Sequence, residues 1–120
     1  MEEVLTRDQL TVGKIVRQGD VFLEVIESVP SDALPVDNRG DIVLALGEFT
    51  GHSHRFKAGS VTAFRNPLDP LGGQQYIITG DVPAKLLHEE HESKVFPSNM
   101  NFRVWIQREY SPEEIRNVAD

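Results

Sequence analysis

Apolar positions along the chain come in short runs broken by turn residues, and the runs read as strands. Val21-Phe22-Leu23-Glu24-Val25-Ile26-Glu27 is rich in β-branched and aromatic residues, follows Arg17-Gln18-Gly19-Asp20, and ends before Pro30, Ser31, Asp32 and Pro35. Asp41-Ile42-Val43-Leu44-Ala45-Leu46 is entered through Asp37-Asn38-Arg39-Gly40, a turn signal closed by glycine. Residues 49–56 and 60–64 read as a pair around Lys57-Ala58-Gly59, and residues 66–73 are a loop by composition. Further strands are expected over residues 75–79, 84–88 and 102–110.

In the last of these Phe102, Val104 and Ile106 alternate with Arg103, Gln107 and Glu109, the pattern of a strand with one face buried. Trp105 falls on the polar side, so that side is expected to be partly covered. Ser111-Pro112-Glu113-Glu114 has the signature of a capping box with proline at the first helical position, which predicts a short helix to about residue 118. A weaker box, Thr6-Arg7-Asp8-Gln9, stands near the start. About seven short strands with helical signal only at the ends predict an all-β domain, a β-sandwich, jelly roll or small barrel, and the expectation taken forward is a single antiparallel barrel or jelly roll with a short C-terminal helix. No interior segment supplies the crossover helices of a parallel sheet.

Composition narrows the setting. The 120 residues carry 12 Lys+Arg against 19 Asp+Glu, a formal net charge of −7, and no cysteine. The length suits one domain and the missing cysteines exclude disulfide and thiol chemistry. Together they lead to the expectation of a cytoplasmic protein. The basic residues lie scattered among acids, so nucleic acid is not an expected partner. No apolar run approaches the ~20 residues that span a bilayer, and the acidic start Met1-Glu2-Glu3-Val4 is unlike a signal peptide. A membrane is not an expected partner either.

The chemistry lies in the histidines. All four fall in two compact groups, Gly51-His52-Ser53-His54 and His88-Glu89-Glu90-His91-Glu92. On an extended strand His52 and His54 share a face with Cα atoms roughly 7 Å apart, from which two imidazoles can converge on one ion at about 2.1 Å. Gly51 beside them permits close backbone approach or a bulge that aims the pair. His88 and His91, three apart, face opposite ways on a strand and join one site only if the chain bulges or turns. If the chain stays extended, His88 and Glu90 share the face and the donors become imidazoles plus a carboxylate. Such N/O sites suit Zn, Fe(II), Mn or Ni, with an open position when only three protein groups bind.

Competing readings of the same residues stay open. The run from His88 to Glu92 also fits a solvated edge in which carboxylates keep imidazoles protonated, and His88 with His91 would also serve as a metal-free pH switch. Ser53 points away from its neighbours, which argues against a Ser-His nucleophile pair. Glu48, four residues before His52, is a candidate ligand or general base or an exposed strand residue. Gly72-Gly73 lacks the Lys-Ser/Thr continuation of a phosphate-binding loop.

The segments Arg17-Gln18-Gly19-Asp20-Val21, Gly47-Glu48-Phe49-Thr50-Gly51-His52-Ser53-His54, Leu87-His88-Glu89-Glu90-His91 and Gln107-Arg108-Glu109-Tyr110-Ser111-Pro112 resemble a family of small uncharacterised proteins of bacteria and their phages. The resemblance runs from Arg17 onward. It implies a β-domain over residues 17–120 with residues 1–16 as an N-terminal extension, and brings no activity with it. A broader likeness is to cupins, small β-barrels that hold a metal through a His-x-His strand pair and a later His. The sequence departs from that pattern: Arg55-Phe56-Lys57-Ala58-Gly59 follows His54 without the expected Glu, and the second His group precedes Pro97 where a cupin places its His after a Pro-x-Gly turn.

The combined expectation is a divalent metal held by His52, His54, His88 and His91, with Glu48 or Glu90 as proton-transfer partner if a small-molecule substrate is processed. The rival is a non-catalytic interaction or assembly protein, such as a phage structural or accessory component, in which the histidines lie on a surface or a subunit contact and the chain forms a homo-oligomer. Both readings turn on whether the two histidine groups meet.

Overall fold

The structure is a computed structural model that describes residues 1–47, 51–68 and 75–107. Eleven strands form among them: β1 (Glu2–Val4), β2 (Ile15–Gln18), β3 (Val21–Ile26), β4 (Leu34–Pro35), β5 (Ile42–Leu46), β6 (Ser53–Phe56), β7 (Val61–Arg65), β8 (Gln75–Thr79), β9 (Ala84–Leu87), β10 (Ser93–Phe96) and β11 (Asn101–Ile106). Among the described residues the one helical piece is a 3-10 turn over Arg7–Gln9, where the Thr6 backbone N–H donates to Gln9 Oε1 at 2.8 Å, the reciprocal half of the weak capping box. The expected C-terminal helix, Arg108-Glu109-Tyr110, Glu48 and Gly72-Gly73 lie outside the described residues.

Two sheets form, ordered β1-β10-β9-β6-β5 and β2-β3-β11-β8-β7-β4. All pairings are antiparallel except β1 with β10. Of the expected architectures the closed barrel is therefore ruled out: the described residues form two open sheets. The physical reason is visible at Lys57-Ala58-Gly59. The described parts of the expected pair, β6 and β7, do not pair around this turn: β6 lies between β5 and β9 in one sheet, while β7 lies between β8 and β4 in the other. Gly59, at φ 83°, takes the left-handed conformation that favours glycine, and the Ser60 N–H and hydroxyl both donate to the Lys57 carbonyl. The turn carries the chain from one sheet to the other.

The core lies between the sheets. Leu23, Val25, Ile77, Phe102 and Val104 on one inner face meet Ile42, Phe56, Leu86 and Phe96 on the other. Phe96 of β10 stands edge-on to Phe102 of β11 across the layer, with ring centroids 5.0 Å apart, and its centroid is 6.0 Å from Phe56 of β6. The alternation read along residues 102–106 places Phe102 and Val104 inside as expected. Trp105, on the opposite face, stacks on Phe22 with centroids 5.6 Å apart and lies under the Arg103 guanidinium, which explains its half-buried state. Residues 1–16 supply β1, and Leu5 and Leu10 are buried with the core.

Candidate functional site

The site starts from strand parity on β6. With Phe56 facing the core, His54 two residues earlier faces the same way and is fully buried, while Ser53 and Arg55 face out. Across β5 a register shift between Val43 and Ala45 turns both Leu44 and Ala45 inward beside His54. The bulge thus lies on the partner strand. Gly51 has φ 86° with open space where a side chain would begin, so it serves a turn of left-handed sense and not a close approach.

The other neighbour of β6 brings in the second group. The pairs Arg55↔Leu87 and Phe56↔Leu86, carried one step further, set His54 opposite His88. His88 is buried, and its ring centroid is 4.3 Å from that of His54. After His88 the chain bends through Glu89, Glu90 and His91 before β10 begins. That bend removes the parity obstacle, and the His91 centroid lies 4.6 Å from His88 and 5.6 Å from His54. One ring nitrogen from each of His54, His88 and His91 lies within 4.8 Å of the other two.

His52 sits differently. It precedes β6, its carbonyl accepts from the Gly47 N–H, and its side chain is 22% exposed. It groups with His88 and Glu89, sharing His88 with the trio of His54, His88 and the partly buried His91. Glu90, an expected participant, is about half exposed, with Oε1 3.8 Å from His52 Nδ1. Glu89, which the sequence reading did not single out, accepts from the Ser53 N–H at 3.0 Å and pairs with Arg55 at 2.8 Å. The Ser53 N–H, with the Arg55 charge assisting, holds the Glu89 carboxyl below the usual carboxylate range.

A third segment supports the trio. Gln18 at the end of β2 is 2% exposed, and its amide nitrogen donates to the Leu86 carbonyl (3.1 Å) and the Glu92 carbonyl (3.0 Å), one on each side of the His88–His91 bend. With both amide hydrogens committed, its oxygen faces His54 Nδ1 at 2.8 Å and accepts the proton there. This fixes the tautomer: a neutral His54 carries its proton on Nδ1 and presents a lone pair at Nε2. His88 is fixed in the opposite sense, because its Nδ1 accepts the Glu90 backbone N–H at 3.0 Å, which leaves the proton of the neutral ring on Nε2.

Gln18→Met, which keeps the length and removes all three hydrogen bonds, is expected to destabilise the domain by roughly 3 kcal/mol, at about 1 kcal/mol per bond. It should also release the Nδ1–H preference of His54. Urea denaturation and imidazole ¹⁵N shifts measure the two effects, and an unchanged His54 tautomer would remove Gln18 from this role. Gln18 was not legible as a site residue, since an uncharged amide in a turn-flanking position carries no chemical signature. The only signal was its presence in the Arg17-Gln18-Gly19-Asp20 segment.

A family model described as a domain of unknown function, DUF8820, matches residues 17–107. No curated protein and no solved structure matches the chain. Among the described residues, no helix is long and apolar enough to cross a membrane.

Proposed function

The chain belongs to the DUF8820 family of domains of unknown function, and we propose that its site is a divalent-metal centre built on His54, His88 and His91. The observation that carries the proposal is the convergence, in a largely buried position, of imidazoles from β6 and from the β9–β10 bend, with ring nitrogens within 4.8 Å of one another. The donor set fits Zn, Fe(II), Mn or Ni, and three imidazoles leave a position open for a small molecule. A bound divalent ion would supply Lewis acidity toward water or an oxygen-rich substrate. The likeness to cupins enters here only in part, since His54 of the His-x-His segment faces the later His88 and His91 while His52 stands before the strand. Glu90 is the proton-transfer candidate, at the more exposed end of the cluster beside His52.

The hydrogen bonds set a condition on His88. Whichever nitrogen it offers, the Nδ1 contact with the Glu90 N–H is given up: either an ion takes Nδ1, or it takes Nε2 and the ring proton moves to Nδ1. Losing one such bond costs about 1 kcal/mol, against about 10 kcal/mol or more for a well-formed zinc site, so the exchange is favourable.

The test uses untagged protein. Elemental analysis should find close to one divalent ion per chain, or Zn²⁺ added to stripped protein should raise the melting temperature and shift the Glu90 amide resonance among the most. A metal-free protein whose stability and spectrum ignore excess Zn²⁺ would overturn the proposal. It would favour the second reading, a non-catalytic assembly protein, for which the edge strand β5 with its exposed Val43 and Leu46 is the supporting observation.

A further inference from the structure

The hairpin joining β2 to β3 has two central residues, Gly19 and Asp20, because Gln18 pairs with Val21. Gly19 has φ 57°, and a positive φ at the first central position is the requirement of a type II′ turn, which glycine meets without strain. The turn is held from both sides. Arg17 Nε donates to the Gly19 carbonyl at 2.6 Å, and the Gln107 N–H donates to the Asp20 carbonyl at 2.9 Å.

Gln18 and Asp20, two apart, both point into the domain, and Asp20 is only 5% exposed. Its Oδ1 lies 3.5 Å from His54 Nε2. This is the nitrogen on which Gln18, by accepting from Nδ1, leaves the lone pair of the neutral ring. A carboxylate oxygen at that distance pairs with the ring when Nε2 carries a proton, and beside the lone pair of the neutral ring it is spaced to share a metal cation instead. Two donors each about 2.1 Å from one ion stand roughly 3.4 Å apart at a tetrahedral angle.

We propose that Asp20 is a further ligand of the metal centre, adding a carboxylate to His54, His88 and His91. The inference rests on the metal reading given above. Asp20 stands outside the group of donors within 4.8 Å of one another and approaches from the His54 side. Joining the shell therefore asks for a rotation of its carboxylate about its own side-chain torsions, while the turn backbone stays pinned. The Arg17-Gln18-Gly19-Asp20 segment then has a single purpose: Gln18 orients His54, Gly19 makes the turn, and Asp20 supplies charge to a site whose imidazoles are neutral. A hard oxygen donor would extend the centre's range toward Mn and Fe(II) beyond what three imidazoles favour.

The test compares wild type with Asp20→Asn, which keeps the size and one acceptor oxygen but removes the charge and turns the other oxygen into an NH2 donor. Zn²⁺ affinity is measured by competition with a chromophoric chelator, and the Asp20 Cγ resonance of ¹³C-labelled wild type is followed through the same titration. The expected result is at least a tenfold loss of affinity in Asp20→Asn, with a Zn²⁺-dependent Cγ shift in wild type. Equal affinities overturn the inference. So does a loss of affinity with the wild-type Cγ unmoved, which would make Asp20 a charge acting from a distance. Should Asp20→Asn fail to fold, the wild-type Cγ shift decides alone. Wild type that takes up no metal removes the underlying metal reading, an outcome separate from all of these.

Discussion

Replacing Phe96 with alanine is expected to destabilise the domain by about 3–5 kcal/mol, the range for removing a fully buried aromatic ring. Phe96 has no exposed surface and touches both layers, edge-on to Phe102 of β11 and tilted against Phe56 of β6. Its loss removes the ring's own burial and two aromatic contacts, and it leaves a cavity between two sheets that cannot close up without shifting whole strands. A domain of this size has only about 5–15 kcal/mol of stability, so the variant should lie close to its unfolding threshold at room temperature. Equilibrium urea denaturation checks this. A fall in midpoint with an unchanged slope assigns the effect to the folded state. A loss below about 1 kcal/mol would mean that the Phe56, Phe96 and Phe102 cluster does not join the sheets.

The second large effect is expected from His54→Ala. The ring is fully buried, accepts its orientation from Gln18, and is the member of the trio nearest to Asp20. Metal affinity should fall by more than the about 10–100-fold that loss of a supporting residue costs, because a donor and not its support is removed. Stripped protein should also lose about 2–4 kcal/mol, from the cavity and from a Gln18 oxygen left without its donor. Measuring metal affinity and metal-free stability side by side separates these contributions. Affinity retained within a few-fold of wild type would exclude His54 from the centre, whatever happened to the stability.

Strand content was legible wherever apolar runs were bounded by turn residues, as with β3, β5, β8 and β11. Strands lacking an apolar run were not. β10, Ser-Lys-Val-Phe, reads as polar, and only its pairing with β9 and β1 makes it a strand. β6 and β7 looked like a hairpin because the turn between them has hairpin chemistry. That local chemistry is equally suited to a step between sheets, and the choice is made by the partners β5, β9 and β8, which are remote in sequence.

For the site, the clustering of histidines pointed to two segments that the structure brings together, but the arrangement within them depended on backbone detail. Parity set His52 and His54 together and His88 and His91 apart. The structure places His54 with His88 and His91 and moves His52 toward Glu89, because β6 begins only at Ser53 and the chain bends after His88. Asp20 and Gln18 could not be seen from the histidines at all, since a sheet-to-sheet contact has no sequence period.

The histidine trio and its Gln18 brace come from segments far apart in the chain, with Gln18 and His54 separated by 36 residues, and the framework beneath them closes through β3 and β11, whose Glu24 and Arg103 are 79 apart. No fragment of the polypeptide carries a rudimentary version of the centre, and long-range strand pairing of this kind is slow to nucleate, on the order of milliseconds to seconds. An ion captured there would recognise the completed domain alone and add to its stability by mass action. Occupancy would then act as a latch on the whole β framework, coupling the availability of a trace element to the lifetime of the protein.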